Sequence, residues 1–297
     1  MSLLHGIIPI LPTPFDDRGE VDHAGLRSLV SFLVSQGVHG LGALALASEG
    51  YKLTDDERRQ VLATIVEETR GRVPVVAAVY HEATRVAVDM CLDAVSRGAD
   101  AIMLLPPVLG KLAGKELVQH LSSVASAAGV PVVIQDTPQV RGTSLALDDY
   151  VRILDVAPNV RYAKIEALPA GQGISRLLEV LGGRIEVLAG WGGLELLEAL
   201  DRGACGCMPG SDVAPLLAQV YAAYRAGDKA RSQALFDGIR PLIGFSSLSL
   251  DRFVIVAKII LAGRKIISSP TLRAPFTPLD SIERDEMDRL LRATHLS

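Results

Sequence analysis

Eight short apolar segments, spread over residues 7–208, constrain the fold more than any other feature. They are rich in β-branched or small residues, and each is bounded by glycine, proline or a polar turn. The segments are 7–11, 40–46, 73–79, 101–105, 130–134, 160–165, 185–189 and 204–208. Their apolar character is continuous rather than alternating, which is typical of strands in a parallel sheet that is covered on both faces.

The stretches between these segments carry apolar residues at helical spacing, as in residues 24–34. Strands that alternate with helices predict a parallel α/β sheet, either open and doubly wound or closed into a barrel. An open sheet that binds a dinucleotide has a glycine-rich turn after its first strand. This chain has Pro12-Thr13-Pro14-Phe15 there instead. We therefore predict an α/β fold of the (β/α)8 TIM-barrel type.

The last quarter of the chain differs from the rest, because no strand segment follows about residue 226. Three helical segments are predicted at 228–246, 249–263 and 281–294, and no linker separates them from the preceding part. We therefore predict a catalytic barrel over 1–226 and a C-terminal helical extension of about three helices over 227–297. Such an extension suits oligomer contacts or the covering of a barrel side.

Composition excludes several classes of protein. A net charge of -4 gives no reason to expect nucleic acid or an anionic membrane surface as a partner. Three cysteines are too few for a disulfide framework in a chain of this size, so a reducing, cytoplasmic location is the expectation. Residues 1–10 do not resemble a signal peptide, and the apolar stretch 253–263 is too short to span a membrane. The six histidines show no metal-ligand spacing, and we expect no metal.

A lysine near the end of the sixth apolar segment is the most informative side chain. Barrel chemistry takes place at the carboxyl ends of the strands, where Lys164 and Glu166 are expected. The two-residue period of a strand places both on one face, about 6.5 Å apart along it. Desolvation favours the uncharged form of an amine, which is the form that attacks a carbonyl carbon. The alternatives are a lysine that reaches solvent and a purely structural ion pair between the two.

Several motifs resemble the dihydrodipicolinate synthase/N-acetylneuraminate lyase family, in order along almost the whole chain. They are Pro12-Thr13-Pro14-Phe15, Leu53-Thr54-Asp55-Asp56-Glu57-Arg58, Pro138 with Gly142, Tyr162-Ala163-Lys164, and Gly190. The resemblance implies a (β/α)8 barrel that assembles into a homo-oligomer, a tetramer or a dimer. It also implies that Lys164 forms a Schiff base with pyruvate or another small 2-oxo acid. No cofactor is then needed, because the lysine itself makes the covalent bond.

The chain departs from the family pattern at the positions that serve its best-known reaction. The family's Gly-Thr-Thr-Gly-Glu reads here Ala45-Leu46-Ala47-Ser48-Glu49, and its Pro-Tyr-Tyr reads Pro107-Val108-Leu109. The tyrosine nearest the lysine is replaced by Gln135, and the arginine that binds aspartate semialdehyde by Val140. The hydroxyl groups of the proton relay and the arginine are all absent. We therefore do not expect dihydrodipicolinate synthase activity.

The replacement by Gln135 bears on the type of reaction. Aldol cleavage needs a base for the C4 hydroxyl, and an amide orients a hydroxyl or a water but does not take its proton. Glu166 can instead remove the C3 proton of a Schiff base, so that the C4 hydroxyl leaves as water. The Ala-x-Ser-Glu, Gln-Asp-x-Pro and Lys-Ile-Glu combination resembles the family's 2-keto-3-deoxypentonate dehydratase branch. The alternatives are a pyruvate-releasing aldolase that uses Tyr80, Tyr51 or Glu166 as base, and a silent barrel that only binds a 2-oxo acid.

The predicted substrate-binding set comes from the loops that follow the strands. Its members are Thr13, Ala47, Ser48, Glu49, Tyr80, Gly190 and Trp191. Ser48 and the neighbouring backbone N–H groups suit a carboxylate, whereas Glu49 is expected to organise its own loop. Tyr80 is a candidate for a missing acid or base. Gly190 allows close backbone approach to an unphosphorylated substrate, and Trp191 is expected to form a wall.

Overall fold

Eight parallel strands form one curled sheet in the computed structural model, which describes residues 3–110, 112–142 and 144–294. The strands are β1 (Gly6–Ile7), β2 (Leu41–Ala43), β3 (Val75–Val79), β4 (Ala101–Leu104), β5 (Val132–Asp136), β6 (Val160–Ile165), β7 (Glu186–Ala189) and β8 (Gly206–Cys207). Each of the eight lies within, or overlaps, one predicted segment. The apolar segments therefore located every strand.

The two ends of the sheet meet. Strands follow the order β1-β8-β7-β6-β5-β4-β3-β2, and Ile10 forms parallel bridges to both Gly42 and Gly210. The Gly42 N–H also donates to the Pro9 carbonyl at 2.8 Å, next to that bridge. These contacts join the β1 side to the β2 side and close the barrel. The predicted (β/α)8 TIM barrel is confirmed.

Strands β1, β2 and β8 are shorter than their apolar segments. Pro9 has no N–H to donate towards β2, so regular pairing is interrupted on that side, whereas the Ile8 and Ile10 N–H groups still donate to the Cys207 and Pro209 carbonyls. Leu46 was expected at the end of the second strand but begins a 3₁₀ turn, Leu46–Ser48. At Gly206 a Cβ atom would lie 2.1 Å from the Gly6 carbonyl oxygen, so β1 and β8 approach closely only because this residue is glycine.

Within the described residues, twelve helices surround the barrel or extend it. They are α1 (His23–Ser35), α2 (Asp55–Thr69), α3 (Thr84–Ser96), α4 (Gly114–Ala128), α5 (Pro138–Arg141), α6 (Leu147–Val156), α7 (Ala170–Leu181), α8 (Leu196–Asp201), α9 (Ala214–Arg225), α10 (Lys229–Ser246), α11 (Leu250–Gly263) and α12 (Ser281–Thr294). The last three match the predicted helical extension. Within the described part of the chain, none of these helices is long and apolar enough to cross a membrane.

The barrel interior is filled by alternate residues of the strands. Ala78, Met103, Val133, Tyr162 and Leu188 belong to one buried apolar cluster inside it. The Tyr162 hydroxyl accepts a hydrogen bond from the Leu4 backbone N–H at 3.1 Å. The next inward-facing residues of these strands lie above this packed layer, at the carboxyl end of the barrel.

A buried network of charges ties the extension to the barrel. Lys258 on α11 is fully buried, and its Nζ lies 2.6 Å from Glu49 Oε1 and 2.8 Å from the Thr271 carbonyl oxygen. The second Glu49 oxygen accepts from Lys52 Nζ and the Arg273 backbone N–H, both at 3.1 Å. Burial lowers the pKa of Lys258 to about 8, although the Glu49 carboxylate acts in the opposite direction. Glu49 therefore fastens α11 to the loop that follows β2.

Removal of the Lys258 amine should weaken the whole fold. Lys258→Met leaves the buried Glu49 carboxylate without its closest cation, and breaking a buried pair costs about 3–5 kcal/mol of unfolding free energy. Lys229→Met is the matched control, because Lys229 pairs with Asp201 on the surface and such pairs contribute roughly 0–1 kcal/mol. Urea denaturation of the two variants measures the difference. Equal losses would show that the Glu49–Lys258 pair does not hold the extension in place.

Candidate active site

Lys164 and Glu166 lie side by side at the mouth of the barrel. They follow Tyr162 on the inward face of β6, and Lys164 Nζ is 3.1 Å from Glu166 Oε1. Their side chains are only 5% and 9% exposed. The amine and the carboxylate are therefore a buried pair, directed into the barrel rather than outwards to solvent.

Two further groups hold the Glu166 carboxylate. Gln135 on β5 is paired in register with Lys164, and its Nε2 donates to Glu166 Oε2 at 2.7 Å. The Trp191 backbone N–H donates to Oε1 at 3.3 Å. Burial alone would raise the pKa of Glu166, but the Lys164 ammonium and these donors hold it below its usual value. These contacts therefore stabilise the Glu166 carboxylate and fix its direction.

The turn after β7 is shaped by its glycines. A Cβ atom on Gly190 would lie 2.2 Å from Glu166 Cγ, so the carboxylate side chain packs directly on the backbone there. Trp191 has a φ of 49° and begins the 3₁₀ turn Trp191–Gly193. The close approach that glycine allows at Gly190 is thus to a protein carboxylate. This contact fixes where Glu166 stands relative to Lys164.

A cavity of about 280 Å³ opens above the pair. Its lining includes Ile10, Ala45, Leu46, Ala47, Gln135, Thr137, Gln139, Val140, Lys164, Glu166, Trp191, Gly192, Met208, Ser247, Leu248, Ser249, Leu250 and Phe253. Among these described residues, Lys164 is the one cation and Glu166 the one anion. The volume lies just below the usual range for small-molecule sites, about 300–1,000 Å³. The cavity therefore suits a small, polar molecule.

The loop after β2 contributes to this cavity only in part. Ala47 lines it, and the next residue, Ser48, is buried with an Oγ atom that has no hydrogen-bond partner among the described residues. Thr13 Oγ1 donates to the Ser48 carbonyl at 2.7 Å and so supports the loop. Glu49 does not line the cavity, because its carboxylate is held by Lys258 and Lys52. Of this loop, Ala45, Leu46 and Ala47 line the cavity, and Ser48 follows them directly in the chain.

Tyr80 does not line the cavity that contains Lys164. It lines a second cavity, between α2 and α3, together with Tyr51 and Arg58. Its hydroxyl accepts from Arg58 Nη1 at 3.4 Å. Burial raises the pKa of Tyr80, against the opposing effect of Arg58. Tyr80 and Tyr51 therefore lie outside the cavity that contains the buried lysine.

The corner between α10 and α11 forms part of the cavity wall, a contribution that sequence reasoning did not foresee. Ser247, Leu248, Ser249 and Phe253 all line the site. They follow Lys164 by more than eighty positions, and no strand register connects them to it. The one hint was a serine-rich segment, Ser246-Ser247-Leu248-Ser249, at the junction of two predicted helices.

Comparison with known proteins supports the relationship that the motifs indicated. The model of the dihydrodipicolinate synthetase family matches residues 3–294. The chain belongs to this family. It is 31% identical over 293 residues to the L-2-keto-3-deoxyarabonate dehydratase of Azospirillum brasilense, covering 97% of this chain and 93% of that one. It is 33% identical over 239 residues to the 4-hydroxy-tetrahydrodipicolinate synthase of Nitrobacter hamburgensis, covering 80% and 79%.

The fold of the family is also seen in solved structures. The dihydrodipicolinate synthase of Rhodopseudomonas palustris superimposes with a TM-score of 0.90 at 26% identity, covering 98% of this chain and 97% of that one. Named family members thus include both a dehydratase and synthases. Their sequence identities to this chain are similar, so the site itself has to distinguish between the reactions.

Gly190→Ala tests the packing of Glu166 in the site. The new methyl group cannot fit beside Glu166 Cγ, and overpacking of this kind costs roughly 1–3 kcal/mol. Gly173→Ala on α7 is the control, since a Cβ atom there meets nothing within 4 Å and replacing an exposed helical glycine stabilises by up to about 1 kcal/mol. Denaturant titration measures both changes. A Gly190→Ala protein as stable as the wild type would show that the contact does not constrain the carboxylate.

Proposed function

We propose that this protein is a Schiff-base lyase that removes water from a 2-oxo-3-deoxy sugar acid. The observation that carries the proposal is the buried group of Lys164, Glu166 and Gln135 at the barrel mouth. An amine and a carboxylate in one small cavity supply a nucleophile and a base for adjacent carbon atoms of the same substrate. The chain itself provides both, so the reaction needs no cofactor.

Lys164 takes the first step. Its amine attacks the C2 carbonyl of the substrate, the C2 oxygen leaves as water, and a protonated imine remains on Nζ. The positively charged imine nitrogen then takes the position of the lysine ammonium, which in the free protein lies 3.1 Å from Glu166 Oε1. The ion pair is therefore preserved when the covalent bond forms, and the imine draws electrons away from C3.

Glu166 takes the second step. A carboxylate beside the imine nitrogen is within reach of the C3 proton, since C3 is two bonds from that nitrogen. Transfer of this proton to Glu166 gives an enamine, whose electron pair expels the C4 hydroxyl. The proton held by Glu166 leaves with that hydroxyl as water, and the carboxylate returns to its starting state. Every carbon atom of the substrate stays in one molecule, attached to Lys164 as a C3–C4 unsaturated imine. Where C5 carries a hydroxyl group, loss of a C5 proton and gain of a proton at C3 give an enol, which becomes the C5 aldehyde when its hydroxyl proton is lost and C4 is protonated. Hydrolysis of the imine then releases the product from Lys164.

The surroundings favour dehydration over aldol cleavage. Cleavage needs a base at the C4 hydroxyl, and no tyrosine is found among the described residues that line the cavity. Gln135 donates to Glu166 and does not take a proton. The relative from Azospirillum brasilense, named L-2-keto-3-deoxyarabonate dehydratase, supports this choice of reaction.

The same cavity argues against the synthase reaction. Val140, where the family's arginine for aspartate semialdehyde aligns, is an apolar residue of the cavity lining. Arg141 is buried and donates through Nη2 to the Leu112 carbonyl at 3.0 Å. For the substrate's own carboxylate we propose the Ser48 hydroxyl and the backbone of the same loop, because that hydroxyl is buried without a described partner.

Reductive trapping tests the covalent step. Borohydride added with pyruvate should increase the mass of the protein by one reduced adduct, and peptide mapping should locate it at Lys164. Lys258 is an internal control in the same digest, because it is also buried but is held by Glu49 and the Thr271 carbonyl outside the cavity. Label at Lys258, or no label with any 2-oxo acid, would remove the proposed mechanism.

Product analysis tests the type of reaction. Wild-type protein fed 2-keto-3-deoxyarabonate should yield 2-oxoglutarate semialdehyde, with all five carbons retained. Glu166→Gln should reduce this turnover by roughly 10²–10⁴-fold, the usual contribution of a general base. Glu179→Gln, on the exposed side of α7, should not change it. Release of pyruvate would instead identify an aldolase, and binding without turnover a silent barrel.

A further inference from the structure

One buried hydroxyl in the cavity is not used by the mechanism. Ser247, at the corner between α10 and α11, is 7% exposed and lines the cavity that contains Lys164. Its Oγ atom has no hydrogen-bond partner within residues 3–110, 112–142 and 144–294. A buried hydroxyl without a partner costs free energy unless a ligand provides one.

The neighbouring serines show that this corner normally satisfies its hydroxyl groups. Ser246 is also buried, and its Oγ donates to the Ile243 carbonyl at 3.1 Å. Ser249 Oγ accepts from the Arg252 backbone N–H at 3.1 Å and caps α11. Ser247 also lines the cavity, and it differs from Ser246 and Ser249 because its hydroxyl group has no hydrogen-bond partner among the described residues.

The hydroxyl is held against the turn after β7. A Cβ atom on Gly192 would lie 2.8 Å from Ser247 Oγ, so the serine packs on the glycine backbone. The preceding residue, Trp191, donates its N–H to Glu166. Ser247 therefore stands beyond Glu166 along the same turn, on the side of β7. Ser48, the buried serine proposed to bind the substrate carboxylate, follows the cavity-lining Ala47 in the loop after β2, which lies across the barrel from β6.

This placement matches the two ends of a substrate attached to Lys164. From C2 the chain runs in one direction to the C1 carboxylate and in the other to C3, which faces Glu166. The part beyond C3 continues past Glu166 towards the turn Trp191–Gly193 and the serine packed on it. A 2-oxo-3-deoxy acid with a hydroxyl group beyond C4 carries a donor and acceptor at that distal end.

We propose that Ser247 hydrogen-bonds a distal hydroxyl group of the substrate, so that the C-terminal extension determines substrate specificity. The inference rests on the proposed function for the orientation of the bound acid. It assigns the extension a second task besides packing, since its α10–α11 corner completes the wall of the site. It also predicts a preference for polyhydroxylated acids over acids of equal length that end in a methyl group.

The test compares two acids that differ only at C5, 2-keto-3-deoxyarabonate and 4-hydroxy-2-oxopentanoate of the same C4 configuration. The half-saturating concentration for borohydride trapping at Lys164 is measured for each, in reactions quenched within seconds. Ser247→Ala should raise this concentration roughly three- to tenfold for the C5-hydroxylated acid and leave the methyl-ended acid unchanged. Ser246→Ala is the matched control and should leave the ratio between the two acids as in the wild type.

Three outcomes separate this inference from the function on which it rests. Equal effects of Ser247→Ala on both acids, or none on either, would overturn the role of Ser247 while trapping at Lys164 still stands. Failure of pyruvate to label Lys164 in the wild type would overturn the proposed function and this inference with it. Ser247→Ala should be no less stable than the wild type, because the Ser247 hydroxyl makes no hydrogen bond with the described residues that the substitution could remove.

Discussion

The contact between the Lys164 amine and the Glu166 carboxylate, 3.1 Å apart inside the barrel mouth, is the interaction on which the site depends. Burying two charges is unfavourable unless their remaining polar atoms are satisfied. Gln135 and the Trp191 N–H donate hydrogen bonds to the Glu166 carboxylate. Gly190 has no side chain, so the Glu166 side chain can pack directly on the backbone of the turn. The pair is therefore a product of three adjacent strands, β5, β6 and β7, and persists only while their register holds.

A second buried pair gives the extension its position. Glu49 turns away from the cavity and holds Lys258, which fixes α11 against the loop that follows β2. The corner before α11 then reaches the cavity and brings Ser247 to the turn after β7. This buried charged contact therefore helps to position one wall of the cavity. The extension and the barrel therefore line one cavity together.

Much of this could be predicted from the sequence because it follows from local periodicity. The apolar segments located the strands, and a period of two placed Lys164 with Glu166 on one face. Tyr80 follows β3 as its sequence position indicates, but its side chain turns to Arg58 in another cavity. The Glu49–Lys258 pair and the place of Ser247 depend on how the extension packs on the barrel. Contacts between residues so far apart in sequence leave no periodic pattern from which they could be predicted.

The central claim is that Glu166 removes the C3 proton of a Schiff base on Lys164. Proton NMR of pyruvate in D₂O measures this step directly, because each enamine formed exchanges a methyl hydrogen for deuterium. We predict rapid exchange with the wild type, loss of exchange in Glu166→Gln, and undiminished borohydride trapping at Lys164 in that variant. Exchange at the wild-type rate in Glu166→Gln would contradict it, since another group would then be the base.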